Sequence, residues 1–225
     1  LDVRPLPDWE TLPYDVLSPQ EELVSERLEA LYRLTAPTGG ADVLLTSAVT
    51  ASQRLSPVSY IGANTFFFHQ GEQISLTTLQ KRLAAAGYAN VKQVLAAGEF
   101  AVRGSIVDVF PMGSERPFRL DFFDDEIESI RWFDVDTQRS MESAEEIRLL
   151  PGHEFPVDPE ALLAFRQRWR REFAGDPKKS IVYCDIEKEI LPPGIEYYLP
   201  LFFDETAALT DYLPVSYTHL RAHET

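Results

Sequence analysis

His219 and His223 stand at i and i+4, the spacing that sets two imidazoles on one helix face for a metal ion. They fall, however, in a tail of shifted composition, Val215 to Thr225, which reads as non-native sequence of the kind a translated sequencing adapter would give. The other two histidines, His69 and His153, are isolated and are expected to be structural or simply exposed. Asp121, Asp124, Asp125, Glu126 and Glu128 gather enough carboxylates to suggest a divalent cation. Two of them occupy a predicted hairpin turn, and strand alternation splits the others between two faces, so no metal site is expected. The chain has no G-x-x-x-x-G-K-[ST] phosphate loop, no H-E-x-x-H zinc helix and no G-x-S-x-G elbow. No catalytic residue and no bound cofactor are expected. What remains is the strand face bearing Arg119 and Phe123. An aromatic beside an arginine suits a protein interface, where such anchors dominate binding energy. On spacing alone a second reading is equally open: Phe123 packs under Leu76 or Leu79, and Arg119 pairs with Asp121.

Charge narrows the partner. The 225 residues carry 21 basic and 36 acidic side chains, a formal net charge of −15. Nucleic-acid affinity comes largely from Lys and Arg on phosphates, so DNA binding by this chain is not expected. A basic surface or another protein suits it better. Hydrophobic content of 44% is that of a globular protein, and no apolar run reaches the ~18 residues of a membrane helix. Cys184 is the only cysteine, which excludes a disulfide framework and fits a reducing, cytoplasmic compartment. Leu1 in place of a starting Met reads as the middle of a longer protein.

The elements that must position these residues follow from periodicity. After an irregular lead-in from Pro7, Ser18, Pro19 and Glu21 have the spacing of a capping box. Val24, Leu28 and Leu31 then form one apolar helix face, with Glu22, Glu26 and Glu29 solvated and Gly39-Gly40 closing the region. Val43-Leu44-Leu45 reads as a buried strand, followed by a short helix with Leu55 that stops at Pro57. From Asn64, Phe66 to Phe68 form a strand, Gly71 turns the chain, and Ser75 caps a helix through Leu76, Leu79 and Leu83 that ends at Gly87. Strands are expected at Val91 to Leu95, Phe100 to Val102, Ile106 to Phe110, Phe118 to Phe123 and Ile127 to Phe133, with a last one at Glu146 to Leu150. Asp124-Asp125 makes a tight reversal. Asp158-Pro159 starts a helix with Leu162, Phe165, Trp169 and Phe173 on its apolar stripe. Arg166, Arg168, Arg170 and Arg171 then form a solvated basic face, and Gly175 to Pro177 ends the helix. The irregular, aromatic stretch from Ile190 to Pro200 is expected to pack back on the first unit.

Two long motifs add a resemblance. The run from Gly98 to Ser114 (GEFAVRGSIVDVFPMGS) and Arg119-Leu120-Asp121-Phe122-Phe123-Asp124-Asp125-Glu126-Ile127 resemble the bacterial transcription-repair coupling factor (Mfd) family. Phe133 to Ser140, the opening Asp8 to Asp15, and Leu149 to Pro156 agree with it in the same order. The resemblance covers nearly all of residues 5–214 and stops at the tail. It implies a UvrB-like N-terminal module: an α/β split domain with an inserted α+β domain. Residues 1–63 would be the first part of domain 1, 64–151 the inserted UvrA-binding domain 2, and 152–214 a truncated second part of domain 1, with 215–225 non-native. It further implies that Arg103, Arg119 and Phe123 contact UvrA. In the family, ATP, magnesium, RNA polymerase and double-stranded DNA are used by an intact ATP-dependent translocase whose motifs lie outside this chain. A UvrB-type excision subunit is the alternative, since UvrB shares the inserted domain and its partner; its phosphate loop is not found here.

Overall fold

The computed structural model describes residues 1–13, 16–35 and 42–213. Gly39-Gly40, the end of the opening motif at Tyr14-Asp15, and the tail with His219 and His223 lie outside the described residues.

The chain opens on β1 (Val3–Leu6), passes through α1 (Glu21–Thr35) and returns in β2 (Val43–Thr46), paired parallel with β1. Parallel neighbours need such a crossover. α1 buries Val24, Leu28 and Leu31, as its periodicity predicts. Ser18 does not cap it. The Ser18 hydroxyl donates to Glu196 Oε2 at 3.0 Å and accepts from the Gly194 N–H at 3.1 Å, tying the helix entrance to a distant segment. The helix begins at Glu21, where Gln20 C=O accepts from Val24 N–H. Glu29 is not simply solvated; it accepts hydrogen bonds from Arg33 and Arg148. β2 is not buried either: Val43 and Leu45 are exposed, because its one strand neighbour among the described residues is β1 and alternation turns these two side chains outward. Nor does Pro57 end the helical region. It follows α2 (Ala48–Ser52) and caps α3 (Val58–Ala63), where its fixed φ suits a helix start.

β3 (Phe66–His69) leads to α4 (Leu76–Ala85), whose Ser75 hydroxyl accepts from Thr78 N–H at 3.2 Å. A six-stranded sheet follows, in the order β4 (Ala89–Asn90), β5 (Glu99–Arg103), β6 (Ile106–Val109), β7 (Phe118–Phe123), β8 (Glu126–Phe133) and β9 (Ser140–Ala144). It is antiparallel from β5 onward. β10 (Glu146–Leu149) leaves this sheet to pair with β3. The stretch Val91 to Leu95 is not a strand. The Glu99 carboxylate accepts from the Leu95 and Ala96 N–H groups, which bends the chain there, and Val94 drops beneath the sheet against Ala101 and Phe133. β9 carries no alternation that would have marked it, being exposed along nearly its whole length.

Phe100, Val107, Leu120, Phe122, Ile127 and Ile130 bury one sheet face with Leu79 and Leu83 of α4. That cluster continues without a break into Leu28 and Leu31 of α1. The junction is close: a Cβ at Gly152 would fall 2.7 Å from the Gly87 carbonyl oxygen. Beyond it, α5 (Pro159–Glu172) is capped by Asp158, and Leu162, Phe165 and Trp169 pack with α6 (Ile181–Glu187) and a 3₁₀ run, Ile195–Phe202. Arg168 departs from the expected solvated face, donating to Leu201 C=O and to Asp204. The Ile190 to Pro200 stretch does pack back, with Tyr197 edge-on to Trp9 at 5.1 Å. Beneath that contact, buried Arg27 pairs with buried Glu154, Nε to Oε1 at 2.6 Å. The whole is a mixed α/β structure.

Candidate docking face

The sheet has a second face, turned away from the main core, and it carries the residues singled out by type. The register of β6 and β7 sets Asp108 directly across from Arg119. Asp108 is 1% exposed and receives both arginines. Arg119 donates Nε to Oδ1 at 2.7 Å and Nη2 to Oδ2 at 3.0 Å, a two-pronged fit to one carboxylate. Its Nη1 donates to Gln138 C=O at 3.2 Å and to the Ser140 hydroxyl at 3.1 Å, and the guanidinium lies 4.9 Å from the Phe133 ring centroid. The Asp108 hydrogen bond raises the Arg119 pKa further above its ordinary value. The expected Arg119–Asp121 pairing is not formed; Asp121 accepts from the Ser129 hydroxyl instead.

Arg103 ends β5, beside the turn at Gly104, and donates Nη2 to Asp108 Oδ2. Its side chain is 48% exposed where that of Arg119 is 13% exposed, so more of Arg103 faces outward. Phe123 sits at the tip of the β7–β8 hairpin, 69% exposed. The strand pairing runs to Phe123–Glu126, and Asp124 takes φ 51° to close the two-residue reversal. Phe123 therefore does not pack under Leu76 or Leu79. The face thus brings Arg103 and Arg119 together on one buried carboxylate and holds Phe123 outward nearby on the same strand as Arg119. Asp108, the carboxylate that joins the two arginines, is what reading by spacing misses; its signal lies in the strand register, not in local sequence. The acidic run is dispersed, with Glu126 accepting from Gln73 and Asp121 from Ser129.

A cavity of about 250 Å³ lies elsewhere, lined among others by Glu21, His153, Ile195 and Glu196. Burial lowers the His153 pKa to about 4 from 6.5 and raises those of Glu21 and Glu196. The folded chain thus holds His153 neutral, while the unfolded chain protonates it below pH 6.5. Its contribution to stability is intact above that pH and is lost as pH falls toward 4, by about 3 kcal/mol in all. Glu21 and Glu196 act in the opposite direction. The difference between His153→Gln and the parent isolates the histidine: in urea melts at stepped pH, the variant should lose less stability between pH 6.5 and 4.

A family model described as the UvrB interaction domain matches residues 66–155, the part of the chain that holds the sheet. The transcription-repair-coupling factor of Haemophilus influenzae is 49% identical over 95% of this chain and 18% of that protein. That of Escherichia coli is 46% identical over 95% of the chain and 19% of the relative. That of Bacillus subtilis is 32% identical over 86% and 17%. The chain therefore spans less than a fifth of the length of these relatives.

Proposed function

We propose that this chain, homologous over nearly its whole length to part of a transcription-repair-coupling factor, is the segment of such a protein that docks UvrA. The observation that carries this reading is an exposed aromatic anchor, Phe123, on the same sheet face as the half-exposed Arg103 side chain, within the residues matched by the UvrB interaction domain model. Interfaces draw most of their energy from such aromatic and arginine anchors. The partner is named by resemblance: UvrB carries this domain and binds UvrA. The segment recruits and does no chemistry itself. The intact protein would be a cytoplasmic ATP-dependent DNA translocase that displaces RNA polymerase stalled at damage and hands the site to excision repair.

The organisation we propose is a split α/β domain, residues 1–63 and 152–214, with the UvrA-binding α+β domain at 64–151 inserted into it. Support comes from the β1–α1–β2 crossover before the sheet and from contacts that rejoin the two outer segments, the Arg27–Glu154 pair and the Trp9–Tyr197 ring contact.

Calorimetric titration with UvrA tests the function. Arg103→Ala should weaken binding about tenfold with the fold intact, and added salt should weaken the parent further, because screened charges contribute. Equal affinity of Arg103→Ala and parent would overturn the assignment.

A further inference from the structure

On the docking reading given above, we propose that Arg131 is a further partner-contacting residue of the face, meeting a carboxylate of UvrA beside Arg103, Arg119 and Phe123. The strand register sets Ala101, Asp108, Arg119, Arg131 and Ser143 in one row across the sheet. Residues paired directly across strands share a face, so Arg131 stands on the docking side, next to Arg119. Like charges placed this way repel. Asp108 answers the charge of Arg119, but it lies two strands from Arg131 with Arg119 between them. On the far side stands Ser143, which carries no charge. Asp121, diagonal to Arg131 in the register, accepts from the Ser129 hydroxyl instead. The Arg131 side chain is exposed and makes no hydrogen bond or ion pair among the described residues. The chain has 36 acidic side chains, yet none of those described pairs with this cation. The row thus presents an uncompensated guanidinium on an otherwise acidic protein. A carboxylate is the partner group that complements it, accepting two parallel hydrogen bonds. Phe123 lies four residues along β7 from Arg119, about 13 Å at the rise of a strand, so the aromatic and this cation make separate contacts.

Calorimetric titration of the full chain with UvrA, paired with thermal unfolding of each variant, tests the assignment. Arg131→Ala should weaken binding about tenfold. Its unfolding temperature should equal or exceed the parent's, because the substitution removes a like-charge neighbour of Arg119. Arg131→Glu should bind more weakly than Arg131→Ala, since it sets carboxylate against carboxylate, and added salt should narrow that gap. The losses from Arg131→Ala and Phe123→Ala should add in the double variant, as they do for sites this far apart.

A folded Arg131→Ala with the parent's affinity overturns the contact. Arg131→Glu binding as tightly as Arg131→Ala overturns the carboxylate as the facing group. Early melting of Arg131→Ala makes the residue structural and also overturns the assignment. Failure of the parent chain to bind UvrA strikes the docking reading itself. A parent that binds, and that Phe123→Ala weakens, confines any failure to Arg131.

Discussion

Phe123→Ala should weaken UvrA binding by about 30-fold or more, close to 2 kcal/mol, without lowering the unfolding temperature. The two halves of this expectation have separate causes. A phenyl ring 69% exposed in the free chain has given up little water, so its removal takes little from the folded state. On docking, the same ring is desolvated against the partner, and that apolar burial supplies the binding energy. The hairpin keeps the cost of presenting it small. Phe123 is still in register with Glu126, and the reversal at Asp124-Asp125 is as short as a hairpin allows, so the ring starts from a strand and not from a loose loop. Phe123→Leu should recover part of the affinity, because it restores apolar area without ring geometry. Calorimetry against UvrA paired with thermal unfolding reads both halves. A variant that melts early and binds normally would place the ring in the core and end its role as an anchor.

Much of this face was legible in the chain because β7 alternates. Phe118, Leu120 and Phe122 point to the core and Arg119, Asp121 and Phe123 point away, as period two requires. Alternation assigns residues to faces, but it does not say which face another element covers, so spacing alone leaves Phe123 open between core and anchor; α4 covers the opposite face. Partner choice was less legible still. Asp121 is local to Arg119 and on the same face, whereas Asp108 comes into place through the β6–β7 register, a long-range property. The Ser18 cap failed for a related reason. The motif was locally sound, yet Gly194, with its left-handed φ of 79°, presents an N–H that competes for the same hydroxyl. β9 has no sequence signature because an exposed edge strand needs no apolar alternation, and the apolar run of β2 predicts burial because such a run looks the same whether or not a neighbour covers it. At Ser75 and Asp158, where a cap is decided within one helical turn, the sequence reading and the structure agree.

Arg27 is the residue whose loss should cost the fold most. In α1 it falls on the apolar stripe with Val24, Leu28 and Leu31, so helix spacing sets it apart from Glu22, Glu26 and Glu29 and marks an arginine for burial. Its side chain is fully buried, and so, to within 3%, is that of Glu154. Nε and Nη2 engage the two carboxylate oxygens at 2.6 and 3.2 Å, Nη1 donates to Pro7 C=O at 2.8 Å, and Trp9 donates to Glu154 while its ring lies 4.9 Å from the guanidinium. The pair thus joins the lead-in, α1 and the segment that returns after the sheet. Arg27→Ala leaves a carboxylate buried without its counter-charge, a loss of about 3–5 kcal/mol. The pair itself is worth less than that figure, because much of the loss is the stranded charge. Arg27→Met combined with Glu154→Leu should therefore be more stable than Arg27→Ala alone, although it removes more polar contacts. Urea unfolding of the full chain ranks the three proteins; a double variant less stable than Arg27→Ala would show that the Trp9 hydrogen bond to Glu154 outweighs the stranded charge. Since none of these partners lies on β5 to β8, the folded fraction of each variant should bind UvrA with the parent's affinity, which keeps loss of fold separate from loss of the docking face.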